Sequence, residues 1–424
     1  MIESLDVMLW SRKAGTLVAS RQGYENRICF YFDDGFVRGG YDIAPLRAPL
    51  NGIVAKSGMP VYPEDDKAFG GLPSFIADSL PDHWGNTVFR EWARERNISQ
   101  RNLTALDRLA YIGRRGMGAL EFVPPTSAEM ETPFRVEIDA LYRLSRQALA
   151  EARNLHAAFP RDFAIESLFK VGTSAGGRRP KAVINVNMEK GEFYSGQVEA
   201  PELGFVPMII KFDECMDCPS TRIEYSYYLM ASDAGLNMMR SELLESAGAT
   251  HFLTERFDRR GAQKIHVQTL AALDPLAGSY ESLFETALRI GVGPGELRQI
   301  FLAMTLNVLG GNVDDHSKNF SFLMGRDGVW HFAPVYDFTF TVDLSAPYYV
   351  NRHSLSVCGK TDGITKADLL STGVKFNIKG AESIIDRAAD AVRSYRRYAL
   401  KAGVTEEWIG RIEEEIESRL KGGF

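Results

Sequence analysis

An apolar run, IFLAMTLNVL at residues 300–309, ends on two glycines and opens into NVDDHSKN, residues 312–319. Two adjacent carboxylates, a histidine, a lysine and an asparagine fall between Asp314 and Asn319, and APVYDF follows at 333–338. These are metal- and proton-handling groups, packed into one short loop of a stretch that otherwise reads as helical from about residue 280. A fold for this chain has to present that loop.

The order of parts upstream narrows the choice. KVGTSAGGRRPKAVINVN is a Gly-rich turn running into an alternating strand, and GEFYSGQVE reads as its hairpin partner. FVPMIIKFD is a buried strand carrying one lysine, Lys211. IEYSYYLMASDAGL spaces Ile223, Tyr227, Met230 and Ala234 for one apolar helix face. HFLTERFD is a further strand, and helices follow. Gly-rich turn, lysine strand, acid-bearing helix, strand, helices and acidic loop is the order of a kinase-like phosphotransferase.

Phosphoryl transfer needs a phosphate cradle, a neutralising cation and a group that orients the attacking hydroxyl. Asp314 and Asn319 have the Asp-x-x-x-x-Asn spacing of a kinase catalytic loop. In that reading Asp314 accepts the hydroxyl proton and the Asn319 oxygen meets magnesium, which takes hard oxygen ligands and few protein groups. Asp337, at the end of a short apolar strand, stands where a kinase has its second metal aspartate. Asp315 is a rival base, but its spacing to Asn319 is one short. Taken alone, Asp-Asp-His also fits a capped surface turn or the divalent site of a nuclease.

GTSAGGRRPK, residues 172–181, is the cradle candidate, because its glycines let backbone amides approach an anion. An ordinary turn has the same composition. Lys211 is the stronger signal, since a lysine in an apolar strand is costly without a partner. Nucleotide phosphates and Glu224 on the next helix fit that need, and an edge-strand lysine facing water is the alternative. The backbone of Glu255 and Phe257 could meet an adenine edge.

Composition excludes little else. The 424 residues are 45% hydrophobic and 25% charged, and the net charge of −6 gives no global attraction to nucleic acid. Arg259 with Arg260, or Arg393, Arg396 and Arg397, could form a local basic patch, although a solvated face is the simpler reading. Cys29, Cys215, Cys218 and Cys358 offer one C-x-x-C pair with no second pair nearby, so they read as reduced thiols. With no signal-peptide pattern and no apolar run of spanning length, a soluble cytoplasmic protein without a membrane role is expected.

In the N-terminal part RICFYFDDGF reads as a strand with a hairpin-like Asp-Asp-Gly, and SFIADSLPDHWGNTVFREWARER as a helix interrupted near Pro81. The boundaries read as 1–125, a β-rich N-terminal extension with helices; 126–260, a kinase-like N-lobe portion with the Gly-rich loop and lysine strand; and 261–424, a mostly helical catalytic lobe. The fold class is α+β, a two-lobed protein-kinase-like fold.

With these motifs in hand, the sequence resembles the HipA family of bacterial toxin kinases over nearly its whole length. GLPSFIADSLPDHWGNTV and YIGRRGMGALEF are similar to that family's N-terminal region, GTSAGGRRPKA to its Gly-rich loop, IIKF to its lysine strand, ERFDR to its hinge, DDHSKNFSFL to its catalytic loop and APVYDF to its metal motif. The resemblance implies an ATP- and Mg2+-dependent Ser/Thr kinase acting as the toxin of a type II toxin–antitoxin pair and inhibiting translation and growth. Aminoacyl-tRNA synthetases are its best-known target class. The implied partner is a helix-turn-helix antitoxin of HipB type, through which alone operator DNA is met.

By the same resemblance Asp314 matches the catalytic base, and Asn319 and Asp337 the metal ligands. The nucleotide contacts fall on Ser174, Ala175, Gly176, Gly177, Lys181, Lys211, Glu255, Arg256, Phe257, His316 and Tyr336. Family members autophosphorylate the Gly-rich loop, which makes Thr173 or Ser174 the candidate hydroxyl here. The loop has an additional residue before Lys181, and Asp337-Phe338 is followed by threonine rather than glycine. A small-molecule kinase on this fold, or a silent co-regulator working with a DNA-binding partner, are the rival functions.

Overall fold

The structure is a computed structural model that describes the chain except residues 1, 23–24, 65–66, 100–102, 128–132, 154–178, 197–203 and 215–217. Two compact units emerge. The first comprises Met1–Glu214, Leu244–Gln268 and Gly325–Gly328, and the second Cys215–Leu243, Thr269–Met324 and Val329–Phe424.

The first unit begins with strands β1 (Ser4–Leu9), β2 (Arg12–Gln22) and β3 (Glu25–Phe32), joined later by β4 (Leu120–Val123) in an antiparallel sheet of order β3-β2-β1-β4. Leu5, Val7 and Leu9 alternate into its core. The β1–β2 turn places Trp10 and Ser11 at φ 48° and 66°, the left-handed pair that a two-residue hairpin demands. Neither residue is glycine. Trp10 offsets the strain by donating its indole N–H to the Lys264 carbonyl at 2.7 Å. Asp-Asp-Gly is not a hairpin turn. Asp33 caps a helix, Asp34–Gly39, its carboxylate accepting from the N–H groups of Gly35 and Phe36. Aspartate suits a turn and an N-cap for the same local reason, so composition does not separate them.

Strands β5 (Lys181–Asn187), β6 (Glu192–Ser195), β7 (Val206–Lys211), β8 (Ser241–Ser246) and β9 (Ala249–Glu255) form a second sheet, ordered β6-β5-β7-β9-β8. Every residue of β5 is buried. One apolar cluster joins Ala182, Ile184, Met208, Ile210 and Leu253 of this sheet to Leu141 and Tyr142 of the helix Ile138–Arg153 and to Trp84, Val88, Phe89 and Trp92 of the helix His83–Glu95. The Trp84 indole also donates to the Lys181 carbonyl at 2.8 Å. The N-terminal region therefore shares a core with the sheet that carries the lysines.

Two histidines in this unit set an acid limit on stability. Burial holds His251 neutral down to a pKa of about 4 and His266 to about 3, against 6.5 for an unhindered imidazole. The unfolded chain therefore binds more protons as the pH falls from 6.5 towards 4, so stability is full above 6.5 and lost below it. For His251 the full effect is on the order of 3 kcal/mol. Urea midpoints between pH 7.5 and 4.5 should decline, and His251→Phe should flatten the slope. An unchanged slope in that variant would reject the assignment.

The second unit is mostly helical. The helix Pro294–Gly310 is buried at Leu297 and at every residue from Ile300 to Gly310, which explains the apolar run. It ends on Gly311 in the left-handed conformation (φ 71°), where a side chain would be strained. The C-terminal amphipathic stretch is broken at Ser394 into the helices Ala381–Arg393 and Tyr395–Ala402. Among the described residues no helix is long and apolar enough to cross a membrane.

Candidate active site

The second unit holds an acidic loop and the APVYDF motif. Gly311 turns the chain from the buried helix into the loop, and a hairpin of Ser321–Met324 with Trp330–Phe332 returns it. That hairpin sets the two motifs side by side. The Tyr336 hydroxyl donates to the Lys318 carbonyl at 2.7 Å and lies 2.6 Å from the Ser321 hydroxyl. NVDDHSKN and APVYDF are thus joined by a direct bond as well as by chain order.

The adjacent aspartates have opposite environments. The Asp314 side chain is 62% exposed, with the His316 Nε2 at 3.9 Å. The Asp315 side chain is fully buried and accepts three hydrogen bonds: from the Tyr280 hydroxyl (2.7 Å), His353 Nδ1 (2.8 Å) and the Ser354 N–H (2.8 Å). A carboxylate held by three donors is poorly placed to take a substrate proton, whereas an exposed one can. Burial, and then the Asp315 charge, push the Tyr280 hydroxyl well above the ordinary tyrosine range, so it stays a donor.

Asn319 closes a 3-10 turn, Ser317–Asn319, and its Nδ2 donates to the Asp314 carbonyl at 2.7 Å. That bond assigns the amide nitrogen, so Oδ1 is the atom of the pair that can act as an acceptor. Asp337 has φ 51°, a left-handed backbone uncommon for a non-glycine residue and frequent at functional sites. Phe338 next to it is buried, its ring 5.3 Å from that of Tyr227. An amide oxygen and a carboxylate are a donor set that suits magnesium. Among the described residues no group of three or more His, Cys, Asp or Glu is arranged as a metal cage. His316 Nδ1 is buried and has no hydrogen-bond partner among the described residues.

The first unit carries a pair of buried lysines. Lys181 and Lys211 are directly opposed in the β5–β7 register, hence on one face of the sheet, and are only 3% and 9% exposed. The edge-strand alternative for Lys211 fails, because β7 lies between β5 and β9. The Lys211 ammonium sits 5.8 Å from the centre of the Phe252 ring. Glu224 is buried on the helix Ser220–Asp233 of the second unit. Thr173, Ser174, Ala175, Gly176 and Gly177 lie outside the described residues.

At the hinge, Glu255 ends β9 and Phe257 is half-buried. Arg256 has another task. Its guanidinium grips Asp258 through two bonds of 2.8 Å and reaches the Gly196 carbonyl, while its backbone N–H donates to the Pro207 carbonyl. The Arg256 side chain is thus engaged in a structural ion pair, and the hinge expectation for 255–257 concerns the backbone. Arg259 joins it, with Nη1 2.6 Å from Asp258 Oδ2 and further bonds to the carbonyls of Gly116 and Gly118. Burial opposes the charge on Asp258, but Arg256 and Arg259 overcome it and hold its pKa below the usual range. Burial, with Arg256 nearby, brings Arg259 down to about 10 against the pull of Asp258. One carboxylate does not fully offset two buried guanidiniums.

Arg259 is thus neither a basic patch nor a solvated face. The other proposed patch is neutralised too: Arg393 pairs with Asp390, Arg396 with Glu406 and Glu413, and Arg397 with Asp233. Sequence reasoning missed Asp258, whose signal was two arginines flanking an acid just after a buried strand. It also missed Thr341, for which spacing offers no signal. The Thr341 hydroxyl accepts from the N–H groups of Val313 and Asp314 at 2.7 and 3.1 Å.

Comparison with known proteins bears on this arrangement. Residues 5–123 match the HipA N-terminal domain and residues 173–396 the HipA-like C-terminal domain. The chain belongs to the HipA family. Among solved structures it is similar to the HipA chain of a Shewanella oneidensis MR-1 toxin–antitoxin complex of HipA, HipB and operator DNA, at 16% identity and TM-score 0.63, covering 98% of this chain and 96% of that one. At this identity the match speaks for the fold, which is the α+β kinase-like fold expected from the sequence. A Helicobacter pylori proinflammatory kinase, CtkA, is matched at 13% identity and TM-score 0.39 over 58% of this chain and 89% of that one. No curated protein matches the sequence.

Proposed function

We propose that this HipA-family chain is an ATP-dependent Ser/Thr protein kinase and the toxin of a type II pair, with an antitoxin of HipB type as partner. The observation that carries the reading is the division of labour at residues 314 and 315: one carboxylate exposed, its neighbour buried and saturated. Asp314 would take the proton of the acceptor hydroxyl. Asn319 Oδ1 and the Asp337 carboxylate would hold Mg2+, which when bound neutralises phosphate charge. Lys181 and Lys211 would contact the phosphates, the Glu255–Phe257 backbone the base, and His316 and Tyr336 the nucleotide's remaining surface. Operator DNA would be met through the antitoxin. The acceptor is a protein serine or threonine, and an aminoacyl-tRNA synthetase is the target class to try first. The segments 1–125, 126–260 and 261–424 would serve as extension, nucleotide-binding portion and catalytic portion, in a cytoplasmic protein.

The test is incubation with ATP and Mg2+, followed by intact-mass analysis of the protein and labelling of a lysate. A phosphate on Thr173 or Ser174 and labelled lysate proteins are expected. Asp337→Ala should lose both, and its Mg2+-dependent ATP affinity should fall at least roughly tenfold by calorimetry, in line with removal of a metal ligand. Unchanged affinity would remove Asp337 from the metal site, and a wild-type protein that labels nothing would overturn the kinase reading.

A further inference from the structure

Asp315 lies one residue from the proposed base and takes no part in the roles assigned above. We propose that it is a positioning residue, a buried clamp that holds the Asp314 loop against the segment following Asp337. The rate consequence rests on the kinase reading; the clamp itself does not.

The argument is geometric. The segment after Asp337 meets the loop at two points. On entry, Thr341 accepts the N–H groups of Val313 and Asp314 and donates its own hydrogen to Asn312 Oδ1 at 3.2 Å. On exit, His353 Nδ1 and the Ser354 N–H both reach Asp315, and the Ser354 N–H also lies 3.2 Å from the Val313 carbonyl. The two points are linked through the interior. Asn312 Nδ2 donates to Asn307 Oδ1, Asn307 Nδ2 to the Tyr280 oxygen, and the Tyr280 hydroxyl to Asp315. The polar chain from Thr341 to Ser354 is continuous, and Asp314 projects from the backbone it encloses.

Such a network matters because a buried carboxylate that loses a donor, or a donor that loses its acceptor, is left with an unmet desolvation cost. The satisfied arrangement is therefore strongly preferred over slipped ones. Arg419 Nη1 lies 3.4 Å from His353 Nε2. A guanidinium can only donate, so His353 accepts there and its proton sits on Nδ1, aimed at Asp315.

Three variants test the clamp: Asp315→Asn, His353→Leu and His353→Asn. Asn at 315 keeps the shape but presents an N–H where a donor already points. Leu at 353 removes the donor, whereas Asn restores one near the Nδ1 position. Asp315→Asn and His353→Leu are expected to lower kcat by roughly 10- to 100-fold, the effect of displacing a reacting group by about 1 Å, with ATP and protein KM within about twofold of wild type. His353→Asn should recover most of the rate. Amide exchange at residues 311–316 and 352–355 should quicken by roughly tenfold or more in the first two variants, and not in Asp314→Asn.

Wild-type exchange at both segments in Asp315→Asn would overturn the proposal, whether or not the protein proves to be a kinase. So would kcat and KM losses that simply track the unfolded fraction, or a His353→Asn variant as slow as His353→Leu. An inactive wild-type protein with quickened exchange in Asp315→Asn would uphold the clamp and refute only the kinase reading.

Discussion

Asp314→Asn should retain its fold and its ATP affinity while phosphate transfer falls roughly 10²- to 10⁴-fold, the usual cost of removing a general base. The substitution keeps the shape of a side chain that is 62% exposed, and no described donor other than His316, at 3.9 Å, approaches the carboxylate. Stability should therefore move by about 0.5 kcal/mol or less, as for other surface changes. The bonds that fix the loop use the backbone of Asp314, namely its N–H to Thr341 and its carbonyl to Asn319, and an asparagine keeps both. A transfer rate close to wild type would show that the proton leaves by another route. Neighbouring Asp315 offers the internal contrast, because its loss should also alter the protection of the loop backbone.

The second large effect concerns the first unit. Asp258→Ala should destabilise it by about 3–5 kcal/mol, since it leaves Arg256 and Arg259 buried without their counter-charge. It also removes the acceptor of the Gly118 N–H. For a unit of this size the unfolding midpoint should drop by about 10 °C. Replacing all three residues by apolar ones of similar volume should cost much less, because the penalty comes from unpaired charge rather than from loss of the pair. A midpoint within about 2 °C of wild type for Asp258→Ala would mean that the two arginines find other partners or water, at variance with the burial of the site.

Order and spacing alone nominate candidates for the site. Asp314, Asn319 and Asp337 stand out by their separations and by the apolar elements before them. Lys211 stands out by the cost of placing an ammonium in an apolar strand, and it is indeed buried on an inner strand. Local chemistry was read less well where one residue type serves several purposes. Asp33 passed for a hairpin residue and is a helix cap. Between the C-terminal helices Ala381–Arg393 and Tyr395–Ala402, Ser394 turns its hydroxyl onto the Asp390 carbonyl, a local bond that composition does not announce. Arg259 passed for a surface charge, because a sequence does not reveal that the acid one residue back is sealed in the same core.

The sequence by itself determined the fold class, through the order of its parts, and the family, through the resemblance of its motifs, since both depend on local patterns along the chain. Tertiary structure alone decided which of two adjacent aspartates is open and which is buried. Asp315 is held by Tyr280, His353 and Ser354, residues 35 or more positions away. It likewise decided that Lys181 and Lys211 face the same side of one sheet, through a register between strands separated in sequence. Both outcomes depend on desolvation and on the pairing of distant polar groups, quantities that no local window of the chain contains.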